Sequence, residues 1–414
     1  MDSLAAPELA AKSYWEGTHR AIPPAQTLQR IQPLLPIFGI TRIADLTRLD
    51  RVGLPVVQCV RPNARSLSVS QGKGLDLISA KVSALMESIE TFHAETIELP
   101  LRFAAYEDLC YRETLARVED MVQDGTGFDP LRRTMWIGVT DLLNQTSLLA
   151  PFEAFHADFT LPALPGSGMF ACNTNGLASG NSREEALLHA LCEIVERDAE
   201  TLWNLAPDAK LATTAVDLSH GCPAACEALL ARIEEAGLTV VVWDLTSDVG
   251  LPAFQCLIGD TSGDNDAEIG LGCHPSRDVA LSRAITEALQ ARLTVIAGSR
   301  DDLAFDDYEA AERRHRRDQV SRLLEASAQP GRRLTDCPHF HHDGFAADIE
   351  LLLERLVAIG VEEVLVADLT KETFQIPVVS AVIPGLEGAW EAFVPDTPGG
   401  DLSPRARAAV EGRP

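Results

Sequence analysis

The sequence lacks an excess of basic residues and any long apolar run. Sixty-one Asp and Glu outweigh 35 Lys and Arg, which gives a formal net charge of −26. This charge repels phosphate backbones and anionic membrane surfaces, so we expect neither nucleic acid nor membrane as a partner. No apolar run approaches the roughly 18 residues of a membrane helix. A metal-complexed ligand, a cationic ligand or a basic peptide is electrostatically easier to bind.

Cysteine is also sparse, with nine residues spread over 414 and no dense framework. That usage is typical of a reducing compartment. The first residues carry acidic side chains where a secretory signal needs a basic run and an apolar stretch. The sequence therefore predicts a cytoplasmic protein.

The cysteine and histidine clusters do not form a complete metal motif. Cys222 and Cys226, beside His220, have no second pair at zinc spacing, so we interpret them as helix packing. Cys172 and Cys192 lie in apolar stretches, where buried cysteine behaves as a small hydrophobe. A further run contains Cys337, His339, His341 and His342. We interpret it as a polar loop, with opportunistic metal binding as the alternative.

What the sequence does contain is a large potential core, because 46% of the residues are hydrophobic. Disorder and a coiled coil are therefore excluded. We predict a lead-in over 1–50, a main domain over 51–395 and a flexible tail over 396–414. Strand and helix patterns mix without strict alternation, which favours an α+β fold with mixed or antiparallel sheets. The predicted strands are 55–60, 66–70, 136–143, 168–173, 238–246, 251–259, 268–273, 361–370 and 377–384, and the predicted helices are 77–97, 183–203, 278–297, 303–325 and 345–359.

An internal repeat is the most informative pattern. DLISAKVSALMESIE (76–90), SREEALLHALCEIVE (182–196) and SRDVALSRAITEALQ (276–290) align without gaps, and each follows a strand pattern and a glycine-bearing turn. Each begins with a capping residue, and alanines follow four and eight positions later. One such helix alone would be an ordinary amphipathic helix. Three in register predict packed strand–glycine turn–helix units.

The repeat places acidic and amide side chains at matching positions. Glutamates stand eleven residues after each cap, and a further Glu or Gln stands three residues later. If the helices pack around one centre, these groups converge and their like charges need a cation. Oxygen ligands favour Mg²⁺, especially beside a phosphate. Iron is disfavoured because the pairs are not Glu-x-x-His. The predicted metal ligands are Glu87, Glu90, Glu193, Glu196 and Glu287, with Gln290 beside them.

Glutamates with a metal and nearby cations suggest a nucleotide polyphosphate. Lys73 and Arg197 are candidate phosphate partners, with Arg292 as a third, although each could be a solvated surface cation. No GxxxxGK[ST] occurs, so a P-loop is excluded. Eleven residues from cap to glutamate is about 16 Å of helix, so side chains and metal must hold the phosphates rather than helix N-termini.

These motifs resemble a known family. RPNARSLSVSQGKGLDLISAKVSALMESIETFHAE resembles the first nucleotide-binding segment of YcaO-domain proteins, with its Ser-x3-Glu-x2-Glu pattern. NTNGLASGNSREEALLHALCEIVERDA and GCHPSRDVALSRAITEALQARL resemble the second and third segments. GSRDD (298–302) and DLTKETFQIPVV are similar to the subgroup associated with TfuA-type partners. Arg300, Asp301 and Asp302 form either a surface salt bridge or helix end, or a ligand contact to nucleotide, peptide or partner. The likeness covers about residues 50 to 390.

The resemblance implies a YcaO-type fold and an ATP- and Mg²⁺-dependent enzyme that activates a backbone amide of a ribosomally made peptide. By resemblance, the nucleotide-binding residues are Lys73, Ser83, Glu87, Glu90, Glu193, Glu196, Arg197 and Gln290. No catalytic residue is assigned. A TfuA-type partner is implied, and a homodimer stays open.

Two products fit this chemistry. A substrate Cys, Ser or Thr would give an azoline, and an external sulfide would give a thioamide. The azoline-forming members often finish in Pro-x-Pro-x-Pro, whereas this chain ends EGRP, so we favour the thioamide. A non-catalytic scaffold that only binds a peptide is the alternative from another class.

Overall fold

The computed structural model describes residues 11–121, 127–205, 213–259, 267–300, 331–387 and 405–406, and it has an α+β fold. The helices are α1 (Pro24–Ile31), α2 (Leu77–Glu95), α3 (Tyr106–Leu109), α4 (Arg183–Asn204), α5 (Ala224–Glu235), α6 (Arg277–Ala297) and α7 (Phe345–Ala358). The strands are β1 (Arg42–Asp45), β2 (Val56–Val60), β3 (Val69–Lys73), β4 (Leu101–Ala105), β5 (Arg133–Asp141), β6 (Thr146–Pro151), β7 (Leu177–Ser179), β8 (Val216–Asp217), β9 (Thr239–Asp244), β10 (Ala253–Gly259), β11 (Glu268–Cys273), β12 (Arg332–Arg333), β13 (Leu365–Asp368) and β14 (Val378–Val382).

Three antiparallel sheets carry the helices. One has the strand order β1-β2-β3, and a second has the order β11-β10-β9. The largest sheet has the order β4-β5-β13-β14-β7, with β6 paired to β5. A short parallel pair joins β8 and β12. The prediction of antiparallel sheets with packed helices is confirmed.

The repeat forms three strand–helix units, β3–α2, β7–α4 and β11–α6, arranged in a ring. Helix α2 contacts β7 of the second unit, α4 contacts β11 of the third, and α6 contacts β3 of the first. Each helix therefore packs on its own strand and on the strand of the next unit. This cyclic packing turns equivalent positions of all three helices toward one centre.

Small residues on both partners allow this close packing. The predicted alanines, among them Ala84 and Ala280, are fully buried. Gly72 was predicted in a turn but lies within strand β3, and Gly272 lies within strand β11 as the predicted strand 268–273 has it; both stand opposite those alanines. A Cβ on Gly72 would lie 2.0 Å from the backbone nitrogen of Ala84, and one on Gly272 would lie 2.1 Å from the Ala280 carbonyl oxygen. Only glycine fits there because the helix backbone rests directly on the strand.

The helix caps follow the prediction in two units and depart from it in the third. Asp76 accepts hydrogen bonds from the amides of Ile78 and Ser79, and Ser182 accepts one from the amide of Glu185. Ser276 makes no side-chain cap bond. Its own amide donates instead to Nδ1 of His274 at 2.9 Å, so a neighbouring imidazole fixes this turn.

The predicted strand at 168–173 is wrong, because these residues have an irregular conformation. The amides of Gly168, Met169 and Phe170 all donate to the buried carboxylate of Glu153. Amides that are committed to one carboxylate cannot take part in a strand ladder. The predicted helix at 303–325 lies outside the described residues.

Both predicted end segments include residues that pack against the domain. Ile31 and Phe38 of the lead-in are each 1% exposed. Arg405 of the tail lies 3.0 Å from the buried carboxylate of Asp198 on α4. The boundaries at 51 and 395 stay a prediction. Within the described ranges, no helix combines the length and the apolar character needed to cross a bilayer.

Candidate active site

The glutamates of the three repeat helices face one another at the centre of the ring. Glu87 and Glu90 come from α2, Glu193 and Glu196 from α4, and Glu287 from α6. Their charges act on one another across the helices, because Glu193 raises the pKa of Glu90 and Glu287 raises that of Glu196. The sequence prediction of convergence therefore agrees with this geometry.

Burial and mutual repulsion keep these carboxyls from ionising at their usual pH. Burial raises the pKa of Glu87, Glu193 and Glu196 to about 7 each. The pKa of Glu90 is raised well above its usual value by burial, then by Glu193 and Glu87. A group of carboxyls with raised pKa values in one cleft is a signature of a functional site.

Glu287 differs because cations surround it. Its carboxylate lies 2.7 Å from the ammonium of Lys73, which β3 projects from the first unit into the third. Burial alone would raise the pKa of Glu287, but Lys73 and Arg197 lower it below the usual value. Glu287 is thus the glutamate of the group that most readily stays ionised, and it bridges two units of the ring.

One acceptor of the group is left without a protein partner. Glu196 is 4% exposed, and its Oε2 atom is buried without a hydrogen bond from any part of the chain that the structure describes. A buried carboxylate oxygen without a donor is costly unless a ligand satisfies it. The carboxylate oxygens around it are suitable ligands for a hard divalent cation, so the residues present fit Mg²⁺.

Strand backbones hold the outer members in place. The amide of Ser179 on β7 donates to Oε2 of Glu90 at 2.6 Å. The Gln290 side-chain amide donates to the carbonyl oxygen of Gln71 at 3.4 Å. Ser83 is half-buried on α2, one turn before Glu87.

Several cations among the described residues belong to the same cluster, and the sequence did not identify all of them. Lys73 and Arg197 were predicted. Arg283 on α6 was not, although its charge acts on Glu196 and Glu287. Arg20 was also missed, and its guanidinium lies 3.7 Å from Glu185 and acts on Glu90.

Arg283 is held by a neutral histidine. Its guanidinium donates to Nε2 of His189 on α4 at 2.9 Å. Burial, with Arg283 and Arg20 nearby, lowers the pKa of His189 well below its usual value, so the ring is an acceptor. Ser83, His189 and Arg283 each stand four residues before a site glutamate, so the repeat contained a signal for this layer.

Two further arginines have different fates. Arg292, the third predicted phosphate partner, is directed away from the glutamates and pairs with Asp50 at 3.2 Å. Arg300 lies close enough to Glu87 to lower its pKa, which supports the ligand-contact alternative for this residue. Asp301 and Asp302 lie outside the described residues.

Among the cysteines considered from the sequence, Cys172 and Cys222 are half-buried, and Cys192, Cys226 and Cys337 are buried. Cys192 and Cys226 are at most 1% exposed, which confirms their interpretation as packing residues. The Cys172 thiol donates to the His156 carbonyl oxygen at 3.3 Å, and burial raises its pKa to about 12, so it is not an activated nucleophile. Cys337 is also buried, and its thiol donates to Asp244 at 3.3 Å.

Comparisons with known proteins agree with this arrangement. The family model described as YcaO cyclodehydratase, ATP- and Mg²⁺-binding, matches residues 71–387. An uncharacterized protein in the tfuA 3′ region of Rhizobium leguminosarum bv. trifolii is 37% identical over 377 residues, which are 89% of this chain and 88% of that protein.

Two solved structures share the fold. A heterocyclase in complex with substrate and cofactor has a TM-score of 0.78 and 25% identity, over 98% of this chain and 57% of the heterocyclase. YcaO from Methanopyrus kandleri, bound with AMPPCP and Mg²⁺, has a TM-score of 0.72 and 24% identity, over 95% of this chain and 100% of that protein. At this identity, the likeness to the Methanopyrus kandleri protein shows a shared fold and no more.

Proposed function

The chain belongs to the YcaO family of ATP- and Mg²⁺-binding cyclodehydratases, and from this premise we propose that it uses Mg-ATP to activate a backbone amide of a peptide. The observation that carries the proposal is the ring of glutamates from three helices, with one buried oxygen left unsatisfied. Carboxylates gathered in this way need a cation, and a nucleoside triphosphate brings Mg²⁺ with it.

The metal would be held by Glu87, Glu90, Glu193, Glu196 and Glu287. Carboxylates are the preferred protein ligands of Mg²⁺, which usually takes its remaining ligands from phosphate and water. When bound, Mg²⁺ would neutralise charge on the phosphates and would allow the carboxyls with raised pKa values to ionise. Glu196 supports this role most directly, because its Oε2 atom has no donor among the described residues.

The phosphates would be neutralised by the cations that enclose the glutamates. Lys73, Arg197, Arg283 and Arg20 come from four separate segments and surround the same cluster. Ser83 and Gln290 would add polar contacts to the nucleotide. Phosphoryl transfer depends mainly on positioning and charge neutralisation, which such a site supplies without a protein nucleophile.

The proposed reaction exchanges a poor leaving group for a good one. A nucleophile attacks the amide carbon, and the amide oxygen takes the γ-phosphoryl group as ADP leaves. Loss of phosphate then expels that oxygen. With hydrogen sulfide as nucleophile the product is a thioamide, and one ATP is converted to ADP and phosphate for each oxygen replaced.

We favour the thioamide product with a TfuA-type partner and a sulfur donor. The support is the relative in the tfuA 3′ region, which is 37% identical over most of both chains. Azoline formation is the second candidate, supported by the heterocyclase neighbour. Both use the same site and differ only in the nucleophile.

Mass spectrometry of a peptide product separates the candidates. The chain would be incubated with Mg-ATP, a sulfide source, a TfuA-type protein and a short precursor peptide sought among the neighbouring genes. We expect a gain equal to the mass difference between sulfur and oxygen. Loss of one water would establish the azoline instead, and an unmodified peptide with no peptide-stimulated ATP hydrolysis would favour the non-catalytic scaffold. Glu354→Gln, an exposed change on α7, is the control that should leave turnover intact.

A further inference from the structure

Residues 11–21 form a small hairpin, here called the N-terminal hairpin. The backbones of Tyr14 and Arg20 exchange hydrogen bonds of 3.1 and 3.0 Å, and the amide of Ser13 also donates to Arg20 at 3.0 Å. The turn contains Gly17 at a φ of +69°, a conformation that favours glycine. The hairpin therefore fixes the backbone of Arg20 against residues 13 and 14.

The N-terminal hairpin meets the N-terminal ends of all three repeat helices. Gly17 packs against Leu75, just before α2, where a Cβ on the glycine would lie 2.6 Å from the leucine side chain. The amide of Ala21 donates to Glu185 of α4 at 2.9 Å. His19 packs edge-on against His274, just before α6, with ring centroids 4.9 Å apart. The hairpin thus closes one end of the ring, and its Arg20 lies close to Glu90.

Lys12 attaches this hairpin to α7 through a buried ion pair. Its side chain is 1% exposed, and the ammonium lies 2.5 Å from Asp348. The ammonium also donates to the His342 carbonyl oxygen at 2.9 Å. It lies 5.5 Å from the ring centroid of Trp15 and 5.9 Å from that of Phe345. A buried lysine this fully engaged holds its segment in one place.

The same cluster has spacing that could suit a metal, since ligand atoms of His19, His274 and Asp348 lie within 4.8 Å of one another. Two contacts argue against that occupant. The Lys12 ammonium already neutralises Asp348. Nδ1 of His274 accepts the amide of Ser276, which uses the single lone pair of the neutral ring. The Lys12 ammonium group is therefore the cation of this cluster.

We infer that Lys12 is a positioning residue for the nucleotide site, because its ion pair with Asp348 fixes the N-terminal hairpin and so holds Arg20 among the site glutamates. The inference rests on the proposed binding of Mg-ATP. The path is short, since Lys12 precedes Ser13, whose amide donates to Arg20. Lys12 itself touches no site glutamate among the contacts described.

A double-mutant cycle on Mg-ATP affinity, measured by calorimetry, tests this path. We expect Lys12→Met and Arg20→Ala each to weaken affinity about tenfold, and the double variant to bind no more weakly than Arg20→Ala alone. An additive loss of about 100-fold in the double variant would overturn the inference, because Lys12 would then act independently of Arg20. Lys371→Met, which removes another buried lysine far along the chain, should leave affinity unchanged.

Further measurements keep a folding defect apart from a positioning defect. The double variant Lys12→Met, Asp348→Asn removes both charges, and faster hydrogen exchange at the Ala21 amide would show a released hairpin in a folded chain. If hydrogen exchange and Mg-ATP affinity are both unchanged in this double variant, the inference is overturned. The proposed function still stands in that case, provided that the wild type binds Mg-ATP. No binding by the wild type would instead refute the proposed function. Stoichiometric zinc that is lost in His274→Ala would overturn the assignment of the cluster to Lys12.

Discussion

Glu90 and Glu95 lie five residues apart on α2, and their surroundings are opposite. Glu95 is 4% exposed and accepts two hydrogen bonds from Arg61, at 2.5 and 2.7 Å, and two from Ser66. Glu90 faces the carboxyls of Glu87 and Glu193, and the described contacts give it Ser179 as donor. The donors of the chain satisfy Glu95, whereas Glu90 lies beside two further carboxyls, with Arg20 as a cation nearby.

This difference separates structural from functional burial. A buried carboxylate with a bidentate arginine and further donors has no need of a ligand. A group of carboxyls whose pKa values are raised by burial and repulsion is stable only when protonated or bound to a cation. The same substitution at the two positions should therefore give opposite results.

The largest effect is expected from Glu95→Gln. The change leaves the buried guanidinium of Arg61 without its countercharge, so the free energy of unfolding should fall by about 3–5 kcal/mol. Urea denaturation followed by circular dichroism measures it. The folded fraction should keep its affinity for Mg-ATP. A specific loss of nucleotide affinity without a loss of stability would contradict the structural role of Glu95.

Glu90→Gln should do the reverse. Removing a ligand of the proposed metal should weaken Mg-ATP affinity by about 100-fold. Stability without nucleotide should stay equal or rise, because a carboxyl with a raised pKa destabilises the folded state above its unfolded pKa. Calorimetry and urea denaturation on the same sample give both numbers. Intact affinity would remove Glu90 from the metal site.

The smallest effect is a dependence of Mg-ATP affinity on pH. Glu87, Glu193 and Glu196 have pKa values of about 7, so part of each is protonated at neutral pH. Metal binding needs the ionised forms, so affinity should rise with pH up to about 8, by at most about tenfold per unit for each proton released. Calorimetry in buffers of different ionisation enthalpy counts these protons. Binding without proton release would contradict raised pKa values at the site.

The central geometry could be predicted from sequence because it is written in a repeat. The alanines at four-residue spacing predicted close packing, and the glutamates in register predicted convergence. Arg283 and His189 stood at equivalent repeat positions and could have been found by comparing the layer four residues before each glutamate. Gly72 was assigned to a turn because local sequence does not show that a helix backbone rests on the strand.

Other features depend on contacts that no local pattern records. Arg20 enters the site through a hairpin whose position is fixed by Asp348, more than three hundred residues away in the chain. The irregular conformation near Phe170 follows from the buried carboxylate of Glu153. Both are tertiary effects that override propensity.

The cyclic packing of the three units sets the order in which a newly made chain can mature. The first unit is completed by the third, because α6 packs on β3 and Lys73 pairs with Glu287. While translation has not yet passed residue 297, the ring is open and the carboxyls have no enclosure. Truncated translation products that end before α6 would therefore be unable to sequester nucleotide, and a growing polypeptide would acquire that capacity only after Ala297 has emerged from the ribosome.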